Sequence, residues 1–149
     1  MNIAMELGAG LSGIEQLRAM MATGRGAAIA ETLQFQLSHV EDGFVVFQGV
    51  PGFHAYNPIG MIHGGYAATL LDSACGCAVH TKLSPAQAYT TLELKVSYLR
   101  AMTKDTGLVR AEGRVVQFGR RAAFAEARLM DEAGKLYATA SSSLIVMDR

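Results

Sequence analysis

The sequence predicts an α+β fold in which an antiparallel β-sheet wraps around a long central helix. Three observations carry that expectation. An apolar run of roughly Ile62 to Thr81 holds a single formal charge, Asp72. Four strand-like runs follow it, joined by short turns. Two more precede it, joined by Glu41-Asp42-Gly43, a hairpin signal.

The elements follow in chain order. Ser12-Gly13-Ile14-Glu15 reads as a capping box, and Ile14, Leu17, Met20 and Met21 make a helical stripe that Gly24 and Gly26 end. This N-terminal arm, residues 1–30, is expected to pack on the domain or on a neighbouring subunit. Thr32 to Val40 and Gly43 to Val50 are the first strands, and Pro51 to Gly60 reads as a loop. After the helix, Tyr89 to Leu99 alternates, with Leu92, Leu94, Val96 and Tyr98 on one face and Thr91, Glu93, Lys95 and Ser97 on the other. Gly107 to Phe118, Ala122 to Met130 and Lys135 to Met147 complete the strands. Gly119-Arg120-Arg121 and Asp131-Glu132-Ala133-Gly134 are the turns between them. Residues 31–149 then form one domain without repeats or linkers.

At 149 residues the chain can bury a core without disulfide or metal staples. Its formal net charge is zero, which argues against a nucleic-acid partner, whose footprint would be a basic excess. Half of the residues are hydrophobic and 17% are charged, an apolar excess that points to self-association. The first ten residues carry Glu6 and lack the basic start and apolar core of a secretion signal. Asp72 and several glycines interrupt the longest apolar stretch, so no membrane span is expected. Cys75 and Cys77 cannot bridge each other within one helix and suit a reducing, cytoplasmic setting. With His80 they spell Cys-x-Cys-x-x-His, but a helix spreads these groups around its axis, so packing is favoured over metal binding.

Asp72 is where chemistry is expected. A carboxylate in such apolar surroundings costs several kcal/mol unless it is partnered, and an acid perturbed by its setting is what a general base or nucleophile requires. His63-Gly64-Gly65 opens the same helix. Two glycines are poor helix starters, yet they let a ligand approach free N–H groups that the helix dipole suits to a developing oxyanion. Asn57, six residues before His63, can offer an amide to the same place. These groups are the inventory for acyl-group hydrolysis. Gly64 and Asp72 are nevertheless about 12 Å apart along the axis. Either the two are unrelated, or the site forms where two chains meet, each giving one of them.

Structural readings stand beside each of these. Asp72 could be satisfied by Thr69 or a backbone amide, and His63 could only hold the loop. Gly64 and Gly65 could allow tight packing, and Asn57 could be a turn residue before Pro58. Arg120 and Arg121 could clamp CoA phosphates or be solvated turn charges. Tyr66, Phe53, Met61 and Ile62 could line an acyl pocket or the core. His54 and His80 receive no role.

Asn57-Pro58-Ile59-Gly60-Met61-Ile62-His63-Gly64-Gly65 followed by Asp72 resembles the motif of hotdog-fold acyl-CoA thioesterases of the phenylacetate-pathway (PaaI-like) group. The resemblance runs from about Glu31 to the C-terminus and leaves the arm uncovered. It implies Asp72 as base or nucleophile, Gly64 as oxyanion donor, and Asn57 and His63 as orienting groups. Its helper hydroxyl falls on Thr91, with Thr90 one residue out of register. Gly65, Tyr66, Arg120 and Arg121 would contact the substrate. It further implies an acyl-CoA substrate, CoA being part of the substrate and no cofactor being needed, and a homodimer, commonly a dimer of dimers. Two rivals keep the fold: a hydratase or dehydratase on enoyl or hydroxyacyl thioesters, and a non-catalytic acyl-CoA-binding module. The helix acid disfavours the first. The short, weakly basic arm disfavours a DNA-binding extension that would suit the second.

Overall fold

A computed structural model describes residues 1–149. Three helices come first: α1 (Ile3–Gly8), α2 (Gly13–Thr23) and α3 (Ala28–Leu33). The hairpin β1 (Phe35–Glu41) and β2 (Phe44–Gly49) follows, then a one-turn 3-10 helix at Phe53–Ala55 and the long helix α4 (Gly64–His80). The chain ends with β3 (Gln87–Tyr98), β4 (Val109–Phe118), β5 (Ala122–Asp131) and β6 (Leu136–Asp148). The six strands form one antiparallel sheet in the order β1-β2-β4-β5-β6-β3. The α+β architecture expected from the sequence is thus the one observed. No helix is long and apolar enough to cross a membrane.

α4 lies on the sheet because its apolar side chains fall in two adjacent rows at four-residue spacing. Tyr66, Leu70, Ala74 and Ala78 make one row, and Ala67, Leu71, Cys75 and Val79 the other; all eight are buried. Each large side chain removed from water here contributes about 1.5–3 kcal/mol. The sheet meets the helix with small residues, Ala111 and Gly113 on β4 and Ala123, Ala125 and Ala127 on β5, all buried. The approach is so close that a Cβ on Gly113 would stand 2.2 Å from the Ala74 carbonyl oxygen.

Two local expectations need correcting. Thr32 and Leu33 are not strand but the end of α3, which closes at Gln34 in the left-handed region (φ 59°). The short helix carries no side-chain N-cap, so nothing in the local sequence announced it. The alternation along β3 is also broken: a bulge between Thr91 and Glu93 leaves Leu92 unpaired and 64% exposed. Past the bulge, Leu94 and Val96 pack against the core as expected.

The arm packs on its own domain, where α2 lies against β1 and α4. The Glu15 carboxylate accepts from the Ser12 N–H (2.9 Å) and hydroxyl (2.8 Å), fixing the start of α2. Gly24 ends it with φ 68°. Gly13 sits on the last turn of α4, where a Cβ would meet the His80 carbonyl oxygen at 1.8 Å, and its N–H donates to the Leu83 carbonyl at 2.9 Å. Buried Gln16 bonds the His80 Nε2 through its Oε1 (2.9 Å) and donates to the Gly8 carbonyl (3.1 Å).

Burial pulls the His80 pKa from 6.5 down to about 4, with the Arg149 charge adding to the effect. Between those values the unfolded chain takes up a proton that the folded chain refuses. Stability is therefore full above about pH 6.5 and falls as acid is added toward about pH 4. The expected result is a thermal midpoint that drops more steeply with acid in the wild type than in His80→Gln. Parallel curves would remove His80 as the source.

Candidate functional site

Asp72 stands on the face of α4 that the two apolar rows leave free. It is half-buried, which corrects the expectation of a helix buried all round. Its neighbours on that face include Thr69 and Ser73. The Thr69 hydroxyl donates to the Gly65 carbonyl at 2.7 Å, so Thr69 does not satisfy the acid. Thr91 does: its Oγ1 donates to Asp72 Oδ1 at 3.1 Å. Thr90 is exposed. Thr91 reaches the helix because the bulge at Leu92 resets the facing of β3, placing Thr91 and Leu94 on one side although they are three residues apart.

Asp72 and Thr91 open onto a cavity of about 720 Å³, within the range of small-molecule pockets. Ser73 and Cys77 of α4 and Tyr89 of β3 share that lining. Burial, and then the Asp72 charge, push the Cys77 thiol up to about 12, so it stays protonated and is a poor nucleophile. Cys75 is raised likewise to about 12 in the core. Between them on the helix, Gly76 makes room for the Tyr89 hydroxyl, which a Cβ would meet at 2.7 Å.

The helix start is a separate place on the chain, and neither Gly64 nor Gly65 lines the Asp72 cavity. His63 is the N-cap, its Nδ1 accepting from the Gly65 N–H at 2.7 Å. A neutral ring accepting there carries its proton on Nε2, facing outward as a donor. Of the two glycine amides, Gly65's is therefore already used. Gly64's, at the first helical position, has no preceding turn to bond. The Tyr98 hydroxyl donates to the Gly64 carbonyl at 2.6 Å and fixes this peptide. Nothing in the sequence marked Tyr98, which read only as one of the apolar alternation. Asn57 Oδ1 accepts from the N–H groups of Ile59 (3.0 Å) and Met61 (3.1 Å), which leaves its amide NH₂ as the free end.

The other expected contacts lie elsewhere. Tyr66 is 2% exposed, its hydroxyl has no hydrogen-bond partner, and burial raises it to about 12. It points against β2, where a Cβ on Gly49 would meet that hydroxyl at 2.8 Å. Tyr66, Phe53, Met61 and Ile62 do not line the Asp72 cavity; Ile62 belongs to the core. Arg120 and Arg121 are exposed in the β4–β5 turn, outside that cavity. What the sequence did not show is that the arm, through Ile3, Met20 and Met21, lines it.

A family model described as Thioesterase superfamily matches residues 59–138. The 1,4-dihydroxy-2-naphthoyl-CoA hydrolase of Listeria monocytogenes is 25% identical over 118 residues, 79% of this chain and 94% of that protein. A conserved protein of Pseudomonas aeruginosa superposes with a TM-score of 0.76 at 29% identity, covering 82% of this chain and 95% of the other. The PaaI protein of the E. coli phenylacetic acid degradation operon superposes with a TM-score of 0.76 at 18% identity, covering 91% of this chain and 94% of the other, a likeness of fold. With the family model spanning more than half of its length, this chain belongs to the thioesterase superfamily and is a thioester hydrolase on the hotdog fold.

Proposed function

We propose that the protein hydrolyses acyl-CoA to a carboxylic acid and CoA, with Asp72 as general base or nucleophile and the Gly64 N–H holding the carbonyl oxygen. The observation that carries this is the Asp72 carboxylate, oriented by the Thr91 hydroxyl at 3.1 Å, at the lining of an otherwise largely apolar cavity. A thioester is already activated. It needs charge stabilisation and a placed water or nucleophile, with no metal or redox cofactor. His63 Nε2 and the Asn57 NH₂ orient the thioester. Arg120 and Arg121 meet the CoA phosphates, and the group that the motif resembles is the PaaI-like one.

The separation of Gly64 from Asp72 along α4 supports a site shared by two copies, each giving one of these groups. β3 offers the means. It is a 12-residue strand at the sheet edge, with Leu92 64% and Tyr98 55% exposed and, just past its end, Leu99 55% exposed. Such a pairing fits a homodimer, assembled as a dimer of dimers, working in the cytoplasm.

Gly64→Pro provides a clean test. Proline is favoured at the first helical position, and the extended His63 (ψ 136°) accommodates it. The change removes the N–H and sets a Cβ 3.0 Å from the Tyr98 hydroxyl, a crowding that a Gly64→Ala control reproduces with the N–H kept. Asp72→Asn and Gly64→Pro chains, each inactive alone, regain activity when co-expressed, because a mixed dimer holds one complete site. No recovery in verified mixed dimers would place both groups in one chain or remove one of them from the mechanism.

A further inference from the structure

The cavity beside Asp72 is not made by the hotdog elements alone. α4 and β3 give it Asp72, Ser73 and Thr91, whereas Ile3 of α1 and Met20 and Met21 of α2 come from the arm. Phe35 and Leu37 of β1 continue the apolar lining. The family match begins at residue 59, so the arm lies outside the segment that the family model covers. The arm is also located by the helix that carries the acid, through Gly13 on the His80 carbonyl and Gln16 on the His80 ring.

Polarity divides between these sources. Thr91 has already given its hydroxyl hydrogen to Asp72. Arg25, also in the lining, is ion-paired with Glu6 at 2.8 Å, and Gln36 and Glu31 are exposed. The arm-side wall of Ile3, Met20 and Met21 therefore presents methyl and thioether groups. A ring hydroxyl placed against these three side chains would find no partner among them, which such a wall rejects. Methionine, unbranched and polarisable, instead follows the shape of a flexible chain.

Resting on the acyl-CoA reading above, we infer that the arm is the specificity wall of this site and that the acyl group it selects is a flexible, unsubstituted alkyl chain of medium length. The test is equilibrium binding of two non-hydrolysable thioethers, S-octyl-CoA and S-ethyl-CoA, to the full chain. It is run beside kcat/KM for octanoyl-, acetyl- and hydroxybenzoyl-CoA. The wild type is expected to bind S-octyl-CoA about tenfold or more tightly than S-ethyl-CoA and to favour octanoyl-CoA among the substrates. Met20→Trp fills the wall and abolishes that preference, whereas Met20→Ala moves it to longer chains and carries the test alone if the tryptophan variant does not fold. Arg18→Ala, on the exposed side of α2, keeps the wild-type ratio.

Equal binding of the two thioethers, or a chain-length preference that survives both Met20 substitutions, overturns the inference whatever the turnover. Preferential binding of S-octyl-CoA that depends on Met20, with no thioester hydrolysed, supports the wall and removes the catalytic reading instead.

Discussion

Asp72→Asn lowers kcat by about two to four decades, the loss that accompanies removal of a general base or nucleophile. The substitution is nearly isosteric, and the amide oxygen still accepts from Thr91, so the side chain keeps its place. What it loses is the ability to take a proton or attack a carbonyl. Thermal stability holds or rises, because the half-buried charge is gone. Thr91→Val, which keeps the shape and deletes the donor, gives a smaller loss of about tenfold. Steady-state kinetics on a panel of acyl-CoA substrates, with thermal melts alongside, measures both. Wild-type turnover in Asp72→Asn would take the acid out of the mechanism. A single turnover in isotopically labelled water then bears on the two remaining roles: label in Asp72 shows direct attack through an anhydride that water opens at the Asp72 carbon, and label only in the product acid favours base catalysis.

The second large effect concerns the seat of the helix. Gly113→Ala places a methyl where the Ala74 carbonyl oxygen and carbon stand at 2.2 and 2.4 Å. Both are helix backbone, and the strand holding Gly113 is pinned between β2 and β5, so neither side yields like a flexible side chain. The cost is that of overpacking at a site unable to relax, about 3 kcal/mol or more. For a chain of this length that corresponds to a fall in the thermal midpoint of roughly 10 °C. Gly26→Ala is the control, since a Cβ there meets nothing within 4 Å, and it stays near the wild type. Unchanged stability in Gly113→Ala would mean that α4 is not held against β4 as described.

The sheet and the long helix were legible because their signals are periodic and long. The two rows of small and apolar residues on α4, the turns after β4 and β5, and the Gly43 hairpin (φ 75°) each state one local answer. The Ser12–Glu15 cap was legible for the same reason. α3 was not: six residues without a capping side chain carry too little signal against the apolar run that follows. The half-burial of Asp72 was missed because an apolar sequence run was read as burial on all sides. Only the spacing of Leu70, Ala74 and Ala78 against Leu71, Cys75 and Val79 shows a free face. Within the candidate site, the bond of Asp72 to Thr91 agrees with the expected residue, but the reason lies in a strand irregularity. The arm's place beside the acid and the hold of Tyr98 on Gly64 are contacts between distant segments, which no local pattern encodes.

That irregularity in β3 has a consequence for anyone redesigning the fold. Deleting Leu92 would restore an unbroken ladder and remove a greasy side chain from solvent, two changes that a stability-minded engineer would welcome. It would also leave Thr91 and Leu94 two positions apart on one face, so the acid would keep its hydroxyl. The tidier protein would lose a residue and retain the pairing that orients its carboxylate.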